Sequence, residues 1–295
     1  MIETTVIGSY PVQINREKIM NNYFDQKAYS WNQYITKSVE DMVNAGIDII
    51  SDGQTRDPFV NIFARKLKGC RIRDRIEVVD NIEYINQITV EDLKYVKSII
   101  PSKTKLVGLI AGPYTLAKSS VDLFYNDMKE MSFDYAKALR NEAEAIEKYV
   151  DLISIDEPFY SVEFPDYAKD LIKIITKNIA VPKRLHVCGN VSKIFKDLIE
   201  IPVDILSHEF MATPSLLNEF KDYTFSQNIC LGSVRSDDVK VESVDEITKH
   251  IKNALDIFGD KIIQISPDCG LRLLPGDVAF NKLKNLVSAG RIINA

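Results

Sequence analysis

The sequence predicts a (β/α)8 barrel, the TIM-barrel fold, from three observations. Eight short runs rich in β-branched residues recur along the chain, and most of them alternate with longer segments of helical period. The chain has 295 residues, near the roughly 250 that are typical of this fold. The rival fold, an open doubly wound sheet, is disfavoured because no G-x-G-x-x-G follows the first strand. We therefore expect a single barrel domain over residues 1–295.

The predicted strands follow one another at regular intervals. They cover residues 4–10, 47–51, 105–112, 151–158, 184–189, 204–210, 228–234 and 262–270. The segment "WNQYITKSVEDMVNAG" predicts a helix because its apolar residues are spaced by three and four and a glycine ends it. "SFDYAKALRNEAEAIEKYV" predicts another, and helix packing is expected of Trp31, Tyr23, Tyr29 and Tyr34. Residues 57–103 predict an excursion between strands two and three.

Composition excludes several classes of partner. The net charge of −5 and the pI near 5.4 offer no basic field for nucleic acid. No apolar run reaches the roughly 20 residues of a membrane span, and the start "MIETTVIGSYP" lacks the pattern of a signal peptide. Four cysteines are too few for a disulfide framework in a chain of this length. We therefore expect a soluble, cytoplasmic protein whose cysteines are thiols or ligands.

Polar and reactive residues are concentrated where the predicted strands end. They are Ser9, Asp52, Gln54, Asp156, Glu157, His186, Cys188, Glu209, Asp237 and Cys269. Because the carboxyl ends of all strands in a parallel barrel share one rim, we expect these side chains to line one pocket.

Four of these residues suit a tetrahedral zinc ion. His186 and Cys188 are two apart in a strand, so both side chains point to the same face. Glu209 and Cys269 would add a carboxylate and a second thiolate from other strands. Each residue alone is more simply explained as part of the core. Their shared position on one rim favours the metal site.

The quoted segments resemble a known family. "RLHVCGN", "DILSHEF" and "ISPDCGLR" look like the zinc-binding segments of the cobalamin-independent methionine synthases, and "TTVIGSYP", "SDGQTRD", "AGPYTLA" and "ISIDEP" resemble other signature segments. The resemblance runs from about residue 4 to residue 290. It implies that one zinc ion per chain is held by His186, Cys188, Glu209 and Cys269, with Glu209 as the ligand that the substrate sulfur replaces.

The resemblance also implies a substrate. Ile7 and Ser9 match positions that hold the carboxylate of homocysteine, and Asp156 matches a residue that binds its amino group. Gln54 stands where the family usually has a glutamate at the same amine, which leaves amine recognition more dependent on Asp156. The implied reaction is methyl transfer to L-homocysteine, giving L-methionine.

Three departures from the family bear on the methyl donor. The chain matches only the catalytic half of the full-length enzymes, Ala117 and Lys118 replace an aromatic that packs on folate, and Asp237 or Asp238 stands near the position of a leaving-group histidine. A folate nitrogen leaves poorly without a general acid, whereas methylcobalamin needs none. The sequence therefore predicts methylcobalamin or a methylated corrinoid protein as donor. The alternative is a methylfolate donor, with Asp237 as the acid.

Two other functions stay open. A zinc thiol methyltransferase acting on coenzyme M would use similar ligands, but "IGSYP" and "ISIDEP" argue against it. The second alternative is a non-catalytic protein that binds zinc or a corrinoid. The intact set of amino-acid-binding segments argues against this alternative.

Overall fold

The computed structural model describes residues 1–15, 17 and 31–295. The strands in this part of the chain are β1 (Glu3–Thr4), β2 (Ile49–Ile50), β3 (Leu67–Ile72), β4 (Ile76–Tyr84), β5 (Lys105–Ala111), β6 (Ser120–Asp122), β7 (Leu152–Asp156), β8 (Lys183–His186), β9 (Ile205–His208), β10 (Asn228–Val234) and β11 (Ile262–Pro267). The helices are α1 (Asn32–Ala45), α2 (Phe59–Ala64), α3 (Val90–Ile99), α4 (Pro113–Lys118), α5 (Met128–Ile146), α6 (Ala168–Thr176), α7 (Phe195–Leu198), α8 (Ser215–Phe220), α9 (Val244–Phe258) and α10 (Gly276–Asn294).

Eight of these strands form the barrel. Their order in the sheet is β1-β11-β10-β9-β8-β7-β5-β2, and every pair is parallel. A parallel bridge between Thr5 and Ile49 joins the first strand to the second and closes the ring. Each of the eight predicted runs overlaps one barrel strand, so the predicted (β/α)8 fold is confirmed.

The paired parts of the strands are shorter than the predicted runs. Of the run 4–10 only Thr4 belongs to β1, which begins one residue earlier at Glu3, and Gly8 turns the chain with a φ of +57°. The run 151–158 leaves the sheet after Asp156, and Pro158 starts a short 3-10 turn. These residues beyond the ladder form the loops of the barrel rim, where the predicted site residues are found.

The helices bury one stripe against the barrel, as their sequence period predicts. Helix α1 ends at Ala45, and Gly46 caps it with a φ of +89°. Helix α9 begins with a capping box between Ser243 and Glu246. Helix α5 covers most of the second predicted helix. The Trp31 and Tyr34 rings contact each other at the start of α1, with centroids 5.8 Å apart; Tyr23 and Tyr29 lie outside the described residues.

The excursion between the second and third barrel strands is a small sheet. Strands β3 and β4 form an antiparallel hairpin, and β6, which follows β5, pairs with β4 in parallel. The hairpin packs on α5, where Cys70 Sγ lies 3.4 Å from Tyr135 Oη. Helix α3 belongs to the outer ring of the barrel, because it connects β2 to β5 as the other helices connect their strands. The predicted excursion of residues 57–103 is therefore too long at its C-terminal end.

The side chains inside the barrel change from apolar to polar along the barrel axis. Near the strand starts it is filled by apolar side chains, including Ile49, Val107, Leu152 and Ile205. Towards the strand ends the buried residues become polar and charged, and this change positions the site on the expected rim. In the described residues we find no helix long and apolar enough to cross a bilayer.

Candidate active site

Two cysteine thiols and one histidine ring lie close together at the strand-end rim. His186 ends β8, Cys188 follows it by two residues, and Cys269 follows β11. Cys188 Sγ lies 3.0 Å from His186 Nε2 and 3.0 Å from Cys269 Sγ. One ligand atom from each residue lies within 4.8 Å of the other two. The structure therefore brings together three of the four predicted zinc ligands.

The two thiols are not equivalent. Cys188 and Cys269 share a hydrogen bond between their sulfur atoms, and this bond together with His186 holds the pKa of Cys269 well below its usual value. The same bond and the loss of solvent raise the pKa of Cys188. Of the two thiols, Cys269 is therefore the one that ionises more readily, and thiolate together with imidazole is a donor set suited to zinc.

Glu209 lies next to this group but outside it. It follows β9 and is half-buried, and the backbone N–H of Gly189 donates a hydrogen bond to its carboxylate. Burial raises the pKa of Glu209, and the charges on Cys269 and His186 act on it. The fourth predicted ligand is therefore close enough for the charges of Cys269 and His186 to affect its pKa. Its position outside the group of three is consistent with a ligand that the substrate can replace.

The predicted substrate residues gather on the neighbouring side of the rim. A Cβ placed on Gly8 would lie 3.1 Å from Gln54 Oε1 and 3.9 Å from Asp156 Oδ2, so these two side chains meet above this glycine. A Cβ on Gly270 would lie 2.8 Å from Ser9 Oγ, which places Ser9 against the residue that follows Cys269. The ends of β1, β2 and β7 thus adjoin the thiol cluster.

Ile7 differs from the other predicted substrate residues. Its side chain is 3% exposed and packs among the apolar residues of the barrel interior. Its backbone carbonyl, in contrast, faces Gly270. Any contact of Ile7 with a substrate is therefore made by its backbone.

Asp156 and Glu157 are adjacent carboxylates with different surroundings. Ser154 Oγ donates to Asp156 at 3.1 Å, and burial raises the pKa of Asp156 to about 6. Glu157 accepts from the backbone N–H groups of Tyr114 and Thr115 at 3.0 and 2.8 Å and from the Thr115 hydroxyl at 2.6 Å. Glu157 thus caps the start of α4, and burial raises its pKa to about 7. Asp156 keeps acceptor capacity for a ligand.

Arg184 is a residue that the sequence reasoning missed. It is fully buried in the barrel, and its guanidinium donates to Val6 O at 3.0 Å, Ser154 Oγ at 3.2 Å and Gln264 Oε1 at 3.3 Å. These hydrogen-bond partners are uncharged, although the positive charge lowers the pKa of Asp156. Arg184 therefore places a cation beneath a rim that carries thiols and carboxylates. The alternation of β8 could have shown that Arg184 shares the face of His186.

Asp268 also escaped notice, although it precedes Cys269. It accepts hydrogen bonds from the backbone N–H groups of Met211 and Ala212 at 3.0 and 2.7 Å. Both donors follow Glu209 in the chain. Asp268 therefore ties the loop that carries Glu209 to the strand end that carries Cys269.

The predicted acid, Asp237, lies in an exposed loop after β10. Arg235 contacts both of its carboxylate oxygens, at 2.9 and 2.8 Å. This ion pair lowers the pKa of Asp237, whereas a proton donor near neutral pH needs a raised one. The structure thus gives Asp237 no support as the general acid.

The two other histidines of the chain are buried and make hydrogen bonds to backbone carbonyls. His208 is buried on the opposite face of β9 from Glu209, and burial lowers its pKa to about 3. His250 Nε2 lies 2.9 Å from the carbonyl of Gly232. His186 is therefore the histidine of the site.

Comparisons with known proteins identify the family. Residues 2–291 match the family described as "Cobalamin-independent synthase, Catalytic domain". The "Methionine synthase" of Methanocaldococcus jannaschii is 39% identical, over 98% of this chain and 99% of that protein. The "Methionine synthase" of Methanothermobacter marburgensis is 35% identical, over 97% and 98%.

Solved structures support the fold. A B12-independent methionine synthase from Shewanella sp. W3-18-1, in complex with selenomethionine, superposes with a TM-score of 0.83 at 22% identity and covers 100% of this chain and 98% of that one. A "methyltransferase from Methanosarcina mazei" gives 0.72 at 17% identity, over 100% and 95%.

One prediction from the sequence is wrong. The departures near Ala117, Lys118 and Asp237 led to a corrinoid donor, either methylcobalamin or a corrinoid protein, but the matched family is cobalamin-independent. The reasoning took the absence of one histidine and one aromatic to exclude a folate donor, although other groups can deliver a proton or pack on a ring. The chain is a methyltransferase of the cobalamin-independent methionine synthase family.

Proposed function

We propose that this enzyme transfers a methyl group from a methylfolate to the thiol of L-homocysteine, giving L-methionine. The observation that carries the proposal is the thiol cluster of His186, Cys188 and Cys269 beside the carboxylate of Asp156. A sulfur-binding centre and an amine-binding carboxylate are the two features that an amino-acid thiol requires. The relatives named methionine synthase support the same reaction.

The residues fit one zinc ion per chain. Cys269 is predisposed to be a thiolate, Cys188 and the Nε2 atom of His186 lie at contact distance, and Glu209 supplies a carboxylate nearby. When bound, zinc supplies the Lewis acidity that keeps a thiol ionised at neutral pH, where a free thiol of pKa about 8.5 is mostly protonated. Displacement of Glu209 would leave room for the substrate sulfur.

The remaining groups orient the amino acid. Asp156 is placed to accept hydrogen bonds from the substrate ammonium, with the Gln54 amide oxygen beside it. The hydroxyl and the backbone N–H of Ser9, which both lie against Gly270, support the proposed site for the carboxylate because both can donate a hydrogen bond. A thiol such as coenzyme M has neither an amine nor a carboxylate, so this side of the rim favours homocysteine.

The donor step requires a proton for the folate nitrogen. No second histidine of the described residues reaches the rim, and Asp237 is held by Arg235. A water molecule or a carboxyl group recruited on donor binding would satisfy the same requirement.

The four cysteines are unpaired thiols in the structure. A site that depends on two of them fits a reducing compartment, and we place the enzyme in the cytoplasm.

A donor and acceptor test addresses the proposal. With homocysteine and methyltetrahydrofolate, and without any cobalamin, we expect methionine, measured by mass spectrometry. The control is Cys188→Ser, which should give background levels. Methylation of 2-mercaptoethanesulfonate in preference to homocysteine would contradict the proposed acceptor, and absence of product with a folate of any glutamate length would contradict the proposed donor.

A further inference from the structure

The two ring nitrogens of His186 face different neighbours. Nε2 points to the thiol cluster, 3.0 Å from Cys188 Sγ. Nδ1 lies 3.1 Å from the hydroxyl oxygen of Ser207, which is 1% exposed. One nitrogen is thus directed to the metal ligands and the other to a buried hydroxyl.

The sheet register creates this contact. Strands β8 and β9 are parallel neighbours, and His186 is paired with Ser207. Because side chains alternate along a strand, Ser207 and Glu209 point to one face of β9 and His208 points to the other. His208 accordingly packs among Phe195 and Phe220 in the helix layer. Strand β9 therefore presents both a predicted ligand and a partner for the neighbouring ligand.

A histidine can bind a metal only through an unprotonated nitrogen. In the neutral ring the proton then resides on the other nitrogen, and the hydrogen bond made there decides which tautomer is present. If Nε2 of His186 binds the metal, that proton resides on Nδ1, 3.1 Å from the Ser207 Oγ that can accept its hydrogen bond.

We propose that Ser207 is a positioning residue for the metal site. Its hydroxyl holds the Nδ1–H of His186 and so fixes both the tautomer and the plane of the ring, with Nε2 directed to the cysteines. The inference rests on the proposed zinc-dependent function and adds a residue that does not touch the metal. Loss of such a partner typically lowers metal affinity by about 10- to 100-fold.

Zinc binding to the metal-free full-length chain provides the test, by competition with a chromophoric chelator and without substrate. We expect Ser207→Ala to weaken zinc binding by about 10- to 100-fold. Ser207→Thr and Ser207→Val have nearly the same shape, so any crowding is common to both. Thr, which keeps the hydroxyl, should bind at least about tenfold more tightly than Val. Ser233→Ala is the matched control, since this buried serine bonds to the Leu231 carbonyl and should leave affinity unchanged.

Cobalt(II) offers a second readout, because its visible absorption reports ligand geometry. The Val variant should change this spectrum and the Thr variant should preserve it. Equal zinc affinities for Thr and Val, or an unchanged affinity for Ala, would overturn the inference. If the unaltered enzyme binds zinc but forms no methionine, the proposed function is contradicted. The role of Ser207 is then still decided by the zinc affinities of the Ser207→Thr and Ser207→Val variants.

Discussion

The rim above β7, β8 and β11 and the loop after β10 both lie at strand ends of the same barrel, yet they treat charge differently. In the loop, Asp237 is paired with Arg235, and Glu242 with the buried Lys282 at 2.7 Å. On the rim, Asp156 is buried and Cys188 and Cys269 are partly buried, and Asp156 makes no salt bridge to a cation within the described part of the chain.

This difference distinguishes carboxylates that are held in ion pairs from carboxylates that can still bind a ligand. A carboxylate held in an ion pair, such as Asp237, has a lowered pKa and has little acceptor capacity left for a ligand. Burial without such a partner has the opposite effect and raises the pKa of Asp156 to about 6. Asp156, which we assign to the substrate amine, therefore stays available for a ligand, unlike Asp237.

The largest effects are expected from the thiols. Cys188→Ser and Cys269→Ser should each abolish zinc binding and reduce methionine formation to background, because a hydroxyl is a poor replacement for a thiolate ligand. Metal analysis of the purified proteins checks this. Cys70→Ser, in the excursion sheet, is the matched control and should keep its zinc. Full zinc content in both rim variants would refute the site.

Asp156→Asn should lower kcat/KM for homocysteine by about 10- to 1000-fold, or roughly 1.4 to 4 kcal/mol, through loss of a charge-assisted bond to the substrate amine. Steady-state kinetics measures this change. Glu157→Gln is the adjacent control: it should lower the melting temperature by weakening the cap of α4, with a much smaller effect on KM. Equal kinetic losses in the two variants would erase the distinction drawn between them.

The same carboxyl predicts a pH dependence. Since burial raises the pKa of Asp156 to about 6, the group is ionised above that pH and binds the ammonium, and it becomes neutral below it. We expect kcat/KM for homocysteine to fall by about tenfold per pH unit below that value. A pH profile of the unaltered enzyme and of Asp156→Asn, which should lack this limb, makes the comparison. An identical acid limb in both would assign the titration to another group.

A smaller effect is expected at Glu209. Because it lies outside the close group of three ligands, Glu209→Gln should weaken zinc binding much less than either cysteine change does. Chelator competition on the three variants gives the ranking. A Glu209 variant as depleted of zinc as Cys269→Ser would make the carboxylate a permanent ligand.

The smallest effect is expected in the loop after β10. Asp237→Asn should change methionine formation by no more than about threefold, because a carboxylate held by Arg235 is already ionised at neutral pH. Initial rates with methyltetrahydrofolate test this. A loss above about a hundredfold, the upper part of the range for general acids, would restore Asp237 as the proton donor.

Sequence periodicity was sufficient for the parts of this protein that depend on local pattern. Alternation in "RLHVCGN" places His186 and Cys188 on one face, and the recurrence of eight strands brings Cys269 to the same rim. The excursion was drawn too long because α3 follows the hairpin without any break in composition.

Other features depend on register between strands that are distant in the chain. Arg184 reaches Val6 and Gln264 across the barrel, and Ser207 meets His186 through the pairing of two strands. Neither contact has a local signature. The sequence did not distinguish Asp156, which we assign to the substrate, from Glu157, which caps α4. The reason is the same, since the groups that donate hydrogen bonds to Glu157 lie at the start of α4.

Arg184 has a consequence for anyone who wishes to rebuild this chemistry elsewhere. A graft of the ligand residues onto another barrel would copy the donor atoms but leave behind the buried cation that lies below them. The recipient would then have to gather thiolates and carboxylates in a dry interior with no opposing charge. The transferable unit is therefore the strand β8 with both Arg184 and His186, together with the hydroxyl, amide and carbonyl groups of the neighbouring strands that hold the guanidinium.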